Sequence, residues 1–147
     1  MVDRFGSRAP LEPAADSSSQ SRTRKDERVA HVLIVEDNDL VSGALRVLFE
    51  QTGRRVSIAA TVADAISVAS ADRPDLMLID LTLPDGNGLN ILEQLRRENR
   101  SPRVAVALTG HDDPALAERC AELGCQAVML KPVPTRELLR RAEEWLA

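Results

Sequence analysis

Five residues capable of chemistry stand where apolar runs of the chain end. Val32-Leu33-Ile34-Val35 gives way to Glu36-Asp37, and Leu76-Met77-Leu78-Ile79 gives way to Asp80. Val104-Ala105-Val106-Ala107-Leu108 is followed by Thr109, and Ala127-Val128-Met129-Leu130 by Lys131. Held together, three carboxylates repel one another and invite a proton or a cation. A hard divalent ion that takes oxygen ligands and keeps several waters, Mg²⁺ or Mn²⁺, is the natural response. A lysine ammonium suits a phosphate oxygen, and a threonine hydroxyl offers a donor. Cation, ammonium and hydroxyl around one carboxylate describe a phosphoryl-transfer site with Asp80 as acceptor, because an aspartyl phosphate is an established covalent intermediate. Taken singly, each residue has an ordinary structural explanation: a helix cap, a surface lysine, a strand-end threonine. The reading therefore depends on whether the fold brings the five together.

The runs that carry them are strands. A short apolar stretch without alternation, closed by a polar residue, reads as a strand buried on both faces. Pro84, Gly86 and Gly88 exclude an immediate helix after Asp80, so that carboxylate stands at the mouth of a loop. Val56 and Ile58 alternate with Arg55 and Ser57, as in a half-exposed edge strand. Helices lie between the strands. Val41, Ala44, Leu45, Leu48 and Phe49 share one helical face, with Asp39 as the expected N-cap and Gly53 as the stop. Thr61 caps the next helix, which carries Val62, Ala65, Ile66 and Ala69 and ends at Asp72-Arg73-Pro74. Asn87 is the expected cap of a third, through Leu92 and Leu95 to about Glu98. Asp113-Pro114 opens a fourth, with Leu116, Cys120 and Leu123 inward and Gly124 as its stop. The last packs Leu138, Ala142 and Trp145.

Five strands alternating with five helices predict an α/β fold: a doubly wound parallel sheet of order 2-1-3-4-5, flavodoxin-like. All strand C-termini then lie on one edge. The first and third strands are neighbours and the fourth and fifth follow, so Glu36, Asp37, Asp80, Thr109 and Lys131 converge on one shallow cleft. Ligands of open α/β sheets bind at that edge.

Composition sets the remaining bounds. The 147 residues suit one domain, and 44% apolar with 29% charged content is globular. A net charge of −4 gives no push toward nucleic acid or an anionic membrane. No apolar run approaches the ~20 residues of a membrane span, and the first residues lack a secretory h-region. The cytoplasm is the expected compartment. There Cys120 and Cys125 stay reduced and serve as small buried hydrophobes. Residues 1–28, with Pro10, Pro13 and Ser17-Ser18-Ser19-Gln20-Ser21, hold few apolar groups and read as a disordered tail; the folded domain spans 29–147.

From about Val29 onward the chain resembles the receiver domain of bacterial response regulators, the CheY-like family. The resemblance rests on Val32-Leu33-Ile34-Val35-Glu36-Asp37-Asn38, Leu78-Ile79-Asp80-Leu81-Thr82-Leu83-Pro84-Asp85-Gly86-Asn87-Gly88, Ala107-Leu108-Thr109-Gly110 and Leu130-Lys131-Pro132. It implies that Asp80 accepts a phosphoryl group from a histidine of a partner kinase or histidine phosphotransfer protein. It implies that Asp37 and Asp80 bind Mg²⁺, that Glu36 helps through water, and that the backbone carbonyl of Thr82 is a further ligand. Thr109 and Lys131 would hold the phosphoryl oxygens, and the Lys131–Pro132 bond would be cis. Thr82 and His111 stand where the family tunes access to the phosphate. Such a module catalyses only its own phosphorylation and dephosphorylation. The chain ends with the fifth predicted helix, so no DNA-binding domain is expected, and output would pass through a downstream target protein, a phosphorelay or a phosphate sink. One position departs from the pattern. Three residues before the lysine these domains usually carry an aromatic or histidine that reports phosphorylation; here it is Val128, and the chain has no tyrosine. Two alternatives compete. A phosphatase of the haloacid-dehalogenase type would need a second aspartate where Thr82 stands. A degenerate receiver that only binds partners is opposed by the presence of all five site residues.

Overall fold

The computed structural model describes residues 29–147; the expected tail, 1–28, lies outside the described residues. The strands of the main sheet are β1 (His31–Val35), β2 (Arg55–Ala59), β3 (Leu76–Asp80), β6 (Val104–Thr109) and β7 (Ala127–Leu130). A two-residue hairpin, β4 (Thr82–Leu83) and β5 (Gly86–Asn87), follows β3. The helices are α1 (Asp39–Gln51), α2 (Val62–Ala71), α3 (Leu89–Arg97), α4 (Pro114–Glu122) and α5 (Thr135–Leu146). The main sheet is parallel throughout, in the order β2-β1-β3-β6-β7. Counted over its five strands this is 2-1-3-4-5, the expected doubly wound order.

Strand alternation divides the core into two layers. Leu33, Val35, Met77, Ile79, Ala105 and Ala107 face α2, α3 and α4, where Ala65, Leu92, Leu95 and Cys120 meet them. Val32, Ile34, Leu76, Leu78, Val106 and Met129 face α1 and α5, against Leu45, Phe49, Leu138 and Ala142. Because both faces are covered, the central strands are apolar between their end residues and show no alternation in sequence. No helix among the described residues is long and apolar enough to cross a membrane.

The ends of the elements follow local chemistry, with two corrections. The N-cap of α1 is Asn38, not Asp39. The Asn38 side chain accepts from the backbone N–H groups of Leu40 and Val41 at 2.9 and 3.2 Å, while Asp39 is the first helical residue. Asn38 has the extended backbone a cap requires, and Asp39 instead puts a negative charge in the first turn, where the helix dipole favours it. At α3 the residue flanking the helix is Gly88, not Asn87. Asn87 still accepts from the Leu89 N–H at 2.8 Å, one position farther out, because it belongs to β5. Thr61 and Asp113 cap α2 and α4 as expected, and Gly53 and Gly124 take the left-handed conformation just past α1 and α4. Cys120 is buried and Cys125 half-buried, and both are free thiols.

Candidate functional site

The parallel sheet delivers the five residues to one edge. Glu36 follows β1 directly, Asp80 and Thr109 end β3 and β6, and Lys131 follows β7. By the alternation that builds the core, Glu36 is in phase with Val32 and Ile34, Asp80 with Leu76 and Leu78, and Lys131 with Met129. The three therefore emerge on the same side of the sheet. Lys131 Nζ bridges the two acids, 3.0 Å from Glu36 Oε1 and 3.2 Å from Asp80 Oδ2. One carboxylate oxygen from each of Glu36, Asp37 and Asp80 lies within 4.8 Å of the other two. Glu36 and Asp80 are buried and Asp37 is exposed, so the cluster opens to solvent through Asp37.

Main-chain contacts hold these groups. The Glu36 N–H donates to the Ala59 carbonyl at 2.9 Å, and the Asn38 N–H reaches Glu36 Oε2 at 3.4 Å. The Thr82 N–H donates to Asp80 Oδ1 at 3.0 Å. The Lys131 N–H donates to the Thr109 carbonyl at 2.7 Å, which sets β7 against β6 just where both site residues leave the sheet. Gly88 matters for space, not for backbone freedom. A Cβ there would lie 2.4 Å from the Asp80 carbonyl oxygen and 2.5 Å from Ile79 Cγ2. The loop can close over the end of β3 only with glycine at that position.

Burial, then the neighbouring Asp80, pushes the Glu36 carboxyl above the ordinary glutamate value; Lys131 pulls in the other direction without cancelling the shift. Burial pulls the Lys131 ammonium down, but its hydrogen bonds to Glu36 and Asp80 outweigh that and hold it above the ordinary lysine value. Together the two shifts describe an acid cluster short of positive charge, with one ammonium serving two carboxylates. Three oxygen donors in this spacing, one of them open to water, suit a small hard cation that retains part of its hydration shell.

Thr109 is buried, and its hydroxyl accepts from the His111 N–H at 3.1 Å. His111 itself is exposed on the loop that follows. Val128, the position read above as departing from the usual aromatic or histidine, is half-buried and packs against the α2–α3–α4 layer. The Lys131–Pro132 bond is cis. Beside the cluster, Leu40, Val41, Leu45, Leu108, Val133 and Leu138 line an open apolar groove of about 550 Å³ between α1 and α5, and Lys131 also borders it. Leu40 is 86% exposed at its rim. Sequence reasoning passed over Asp85, whose carboxylate accepts from the N–H groups of Val62 and Ala63 at 2.8 and 3.2 Å. The available signal was an acid in the turn after Pro84, within reach of a helix start.

Comparisons with known proteins agree with this geometry. The family model for the response regulator receiver domain matches residues 32–143. The polar-differentiation response regulator DivK of Brucella anthropi is 30% identical over 116 residues, covering 78% of this chain and 94% of its own. The TorCAD operon transcriptional regulatory protein TorR of Escherichia coli K12 is 34% identical over 116 residues, 79% of this chain but 50% of TorR. The chain thus spans about half the length of that relative and nearly all of DivK. Among solved structures, the receiver domain of the sensor histidine kinase PA1611 from Pseudomonas aeruginosa PAO1 superposes with a TM-score of 0.71 at 28% identity, over 81% of this chain and 98% of that one. That structure carries a magnesium ion coordinated in its active-site cleft. With the five-stranded order, the acid cluster and the bridging lysine in place, the chain belongs to the response regulator receiver domain family.

Proposed function

We propose that Asp80 is the phosphoacceptor of this receiver domain and takes its phosphoryl group from a phosphohistidine of a histidine kinase or histidine phosphotransfer protein. The observation that carries the reading is the meeting of Glu36, Asp37 and Asp80 within 4.8 Å, with Lys131 bridging two of them. A carboxylate oxygen of Asp80 attacks phosphorus, the P–N bond to the donor imidazole breaks, and the imidazole leaves to be protonated by solvent. Lys131 and the Thr109 hydroxyl bind the phosphoryl oxygens as negative charge gathers on them. Glu36, Asp37, Asp80 and the Thr82 carbonyl would hold Mg²⁺ (or Mn²⁺). Such an ion would neutralise the carboxylates and supply positive charge next to the phosphoryl oxygens. Exposed Thr82 and His111 flank the opening and tune the access of water to the phosphoryl group.

The protein is a signalling module, not an enzyme acting on a separate substrate. It works in the cytoplasm, and its output passes through protein contacts to a target, a relay or a sink. The apolar groove beside Lys131 offers the donor protein a surface from which a histidine can reach Asp80. Incubation with Mg²⁺ and acetyl phosphate tests the reading. Intact-mass spectrometry should show one acid-labile phosphoryl adduct that disappears with EDTA and in Asp80→Asn. Equal labelling of Asp80→Asn would overturn the assignment.

A further inference from the structure

The hairpin β4–β5 carries Thr82 immediately after the acceptor, and its tip is tied to a different element. Both carboxylate oxygens of Asp85 accept main-chain N–H groups at the start of α2, Val62 at 2.8 Å and Ala63 at 3.2 Å. Local capping does not require this. Thr61 already supplies the side-chain cap of α2, accepting from the Asp64 N–H at 3.1 Å. Asp85 takes the two donors before it, those of Val62 and Ala63, from more than 20 residues away in sequence. The hydrogen bonds to it hold its carboxyl below the ordinary aspartate range, so it is ionised at neutral pH.

The tie closes a ring around the acid cluster. From α2 the chain runs back through Thr61 to Ala59, whose carbonyl receives the Glu36 N–H. From Asp85 the hairpin runs back to Thr82, whose N–H donates to Asp80. The hairpin's other strand returns to Gly88, whose N–H donates to the Leu81 carbonyl. Lys131 joins Glu36 to Asp80 and completes the circuit. Of these links, the Asp85 pair is the one that sits on the exposed surface and depends on a single side chain.

We infer that Asp85 is a positioning residue for phosphoryl transfer: by pinning the β4–β5 hairpin to the N-terminus of α2, it fixes Thr82 relative to Glu36 and Asp80. The inference rests on the phosphoacceptor reading above. Asp85 touches neither the phosphoryl group nor the ion. Its removal should loosen cation binding first and slow phosphorylation only as a consequence.

The test compares Mg²⁺ affinity, measured by calorimetry or amide shifts, in four chains: wild type, Asp85→Ala, Val62→Pro and the double variant. Val62 is the first helical residue, where proline is tolerated, and Thr61 before it has the extended backbone proline prefers. Val62→Pro therefore deletes the shorter of the two hydrogen bonds, leaving the one from Ala63, while keeping the helix start. Asp85→Ala, which removes both bonds, should bind Mg²⁺ about tenfold more weakly, the low end for loss of a partner that orients a metal ligand; Val62→Pro, which keeps the Ala63 bond, should lose part of that. The double variant should bind no more weakly than Asp85→Ala, because the proline deletes only a bond that Asp85→Ala has already removed. Asp85→Asn, which keeps an acceptor, should fall between. If Asp85→Ala fails to fold, Val62→Pro decides the matter. A folded Asp85→Ala within about twofold of wild type, a folded Val62→Pro that binds as tightly as wild type, or additive losses in the double would overturn the inference. A wild type that binds no Mg²⁺ and takes no label would instead overturn the phosphoacceptor reading, and the positioning role with it.

Discussion

Replacing Lys131 by methionine removes the one ammonium that serves Glu36 and Asp80 and keeps a side chain of similar length. The two contacts are 3.0 and 3.2 Å, and the lysine side chain is 32% exposed whereas both acids are nearly buried. Removing one partner of a fully buried pair costs about 3–5 kcal/mol, while an exposed pair contributes about 0–1 kcal/mol. A one-third-exposed lysine with two buried partners falls between, so Lys131→Met should lose about 2 kcal/mol at neutral pH without Mg²⁺. The pH dependence has a definite sign. Lys131 is held above its ordinary value of 10.5, so its contribution is complete below that pH and disappears as pH rises through the higher folded value. Glu36 is raised from 4.5, so the folded state binds its proton more tightly than the unfolded chain, and ionising it costs stability as pH rises from 4.5 through the folded value. Without the lysine that cost grows. The gap between variant and wild type should therefore be widest near neutrality and close as pH falls through the Glu36 titration. The variant should also bind Mg²⁺ about tenfold more tightly, because ~1.4 kcal/mol of competition for the same oxygens has gone. Urea unfolding in EDTA from pH 4 to 9 and Mg²⁺ calorimetry measure both effects. A variant as stable as wild type at neutral pH, a gap that widens on acidification, or weaker Mg²⁺ binding would refute the reasoning.

Asn38→Ala should lower stability by about 1 kcal/mol through loss of the α1 cap, while Asp39→Ala should change it far less; urea midpoints of the two variants separate the positions. Gly88→Ala should cost about 1–3 kcal/mol and slow phosphorylation, because the added methyl meets the Asp80 carbonyl and Ile79; paired denaturation and labelling assays check this. On binding beryllofluoride, an acyl-phosphate mimic, amide shifts should extend from Thr109 along α4 without a rotamer change at Val128, whose branched side chain is stiff and has no ring to turn. Shifts confined to the pocket would favour a relay or sink over a target-binding output.

The sheet and the cluster were legible because the buried strands write themselves as apolar runs, and because a parallel sheet sends every strand's C-terminal end to one edge. Once β1, β3, β6 and β7 are recognised, Glu36, Asp80, Thr109 and Lys131 must lie together. The α1 cap was misplaced by one residue because Asn38 and Asp39 are both good capping types, and backbone conformation, which the sequence does not display, decides between them. The β4–β5 hairpin is two residues per strand, too short for any period, so its ladder was invisible, and the Asp85 tie left only an acid after Pro84 as its signal. His31 escaped notice for a similar reason. It reads as a polar residue at a strand start, yet it is buried, with Nε2 2.8 Å from Ser57 Oγ and its N–H donating to Asp75 Oδ2 at 2.8 Å. Those contacts join the start of β1 to the middle of β2 and to the residue before β3, away from the C-terminal edge that carries the site.

The central claim is that Asp80 carries the phosphoryl group, and reductive trapping tests it most directly. An acyl phosphate on aspartate is reduced by borohydride to homoserine, which marks the modified residue permanently for peptide mass spectrometry. After incubation with acetyl phosphate and Mg²⁺, the account predicts homoserine at position 80 and at no other aspartate, and none when EDTA is present. Homoserine at position 37, or unmodified Asp80 in a protein that has taken up phosphate, would contradict it.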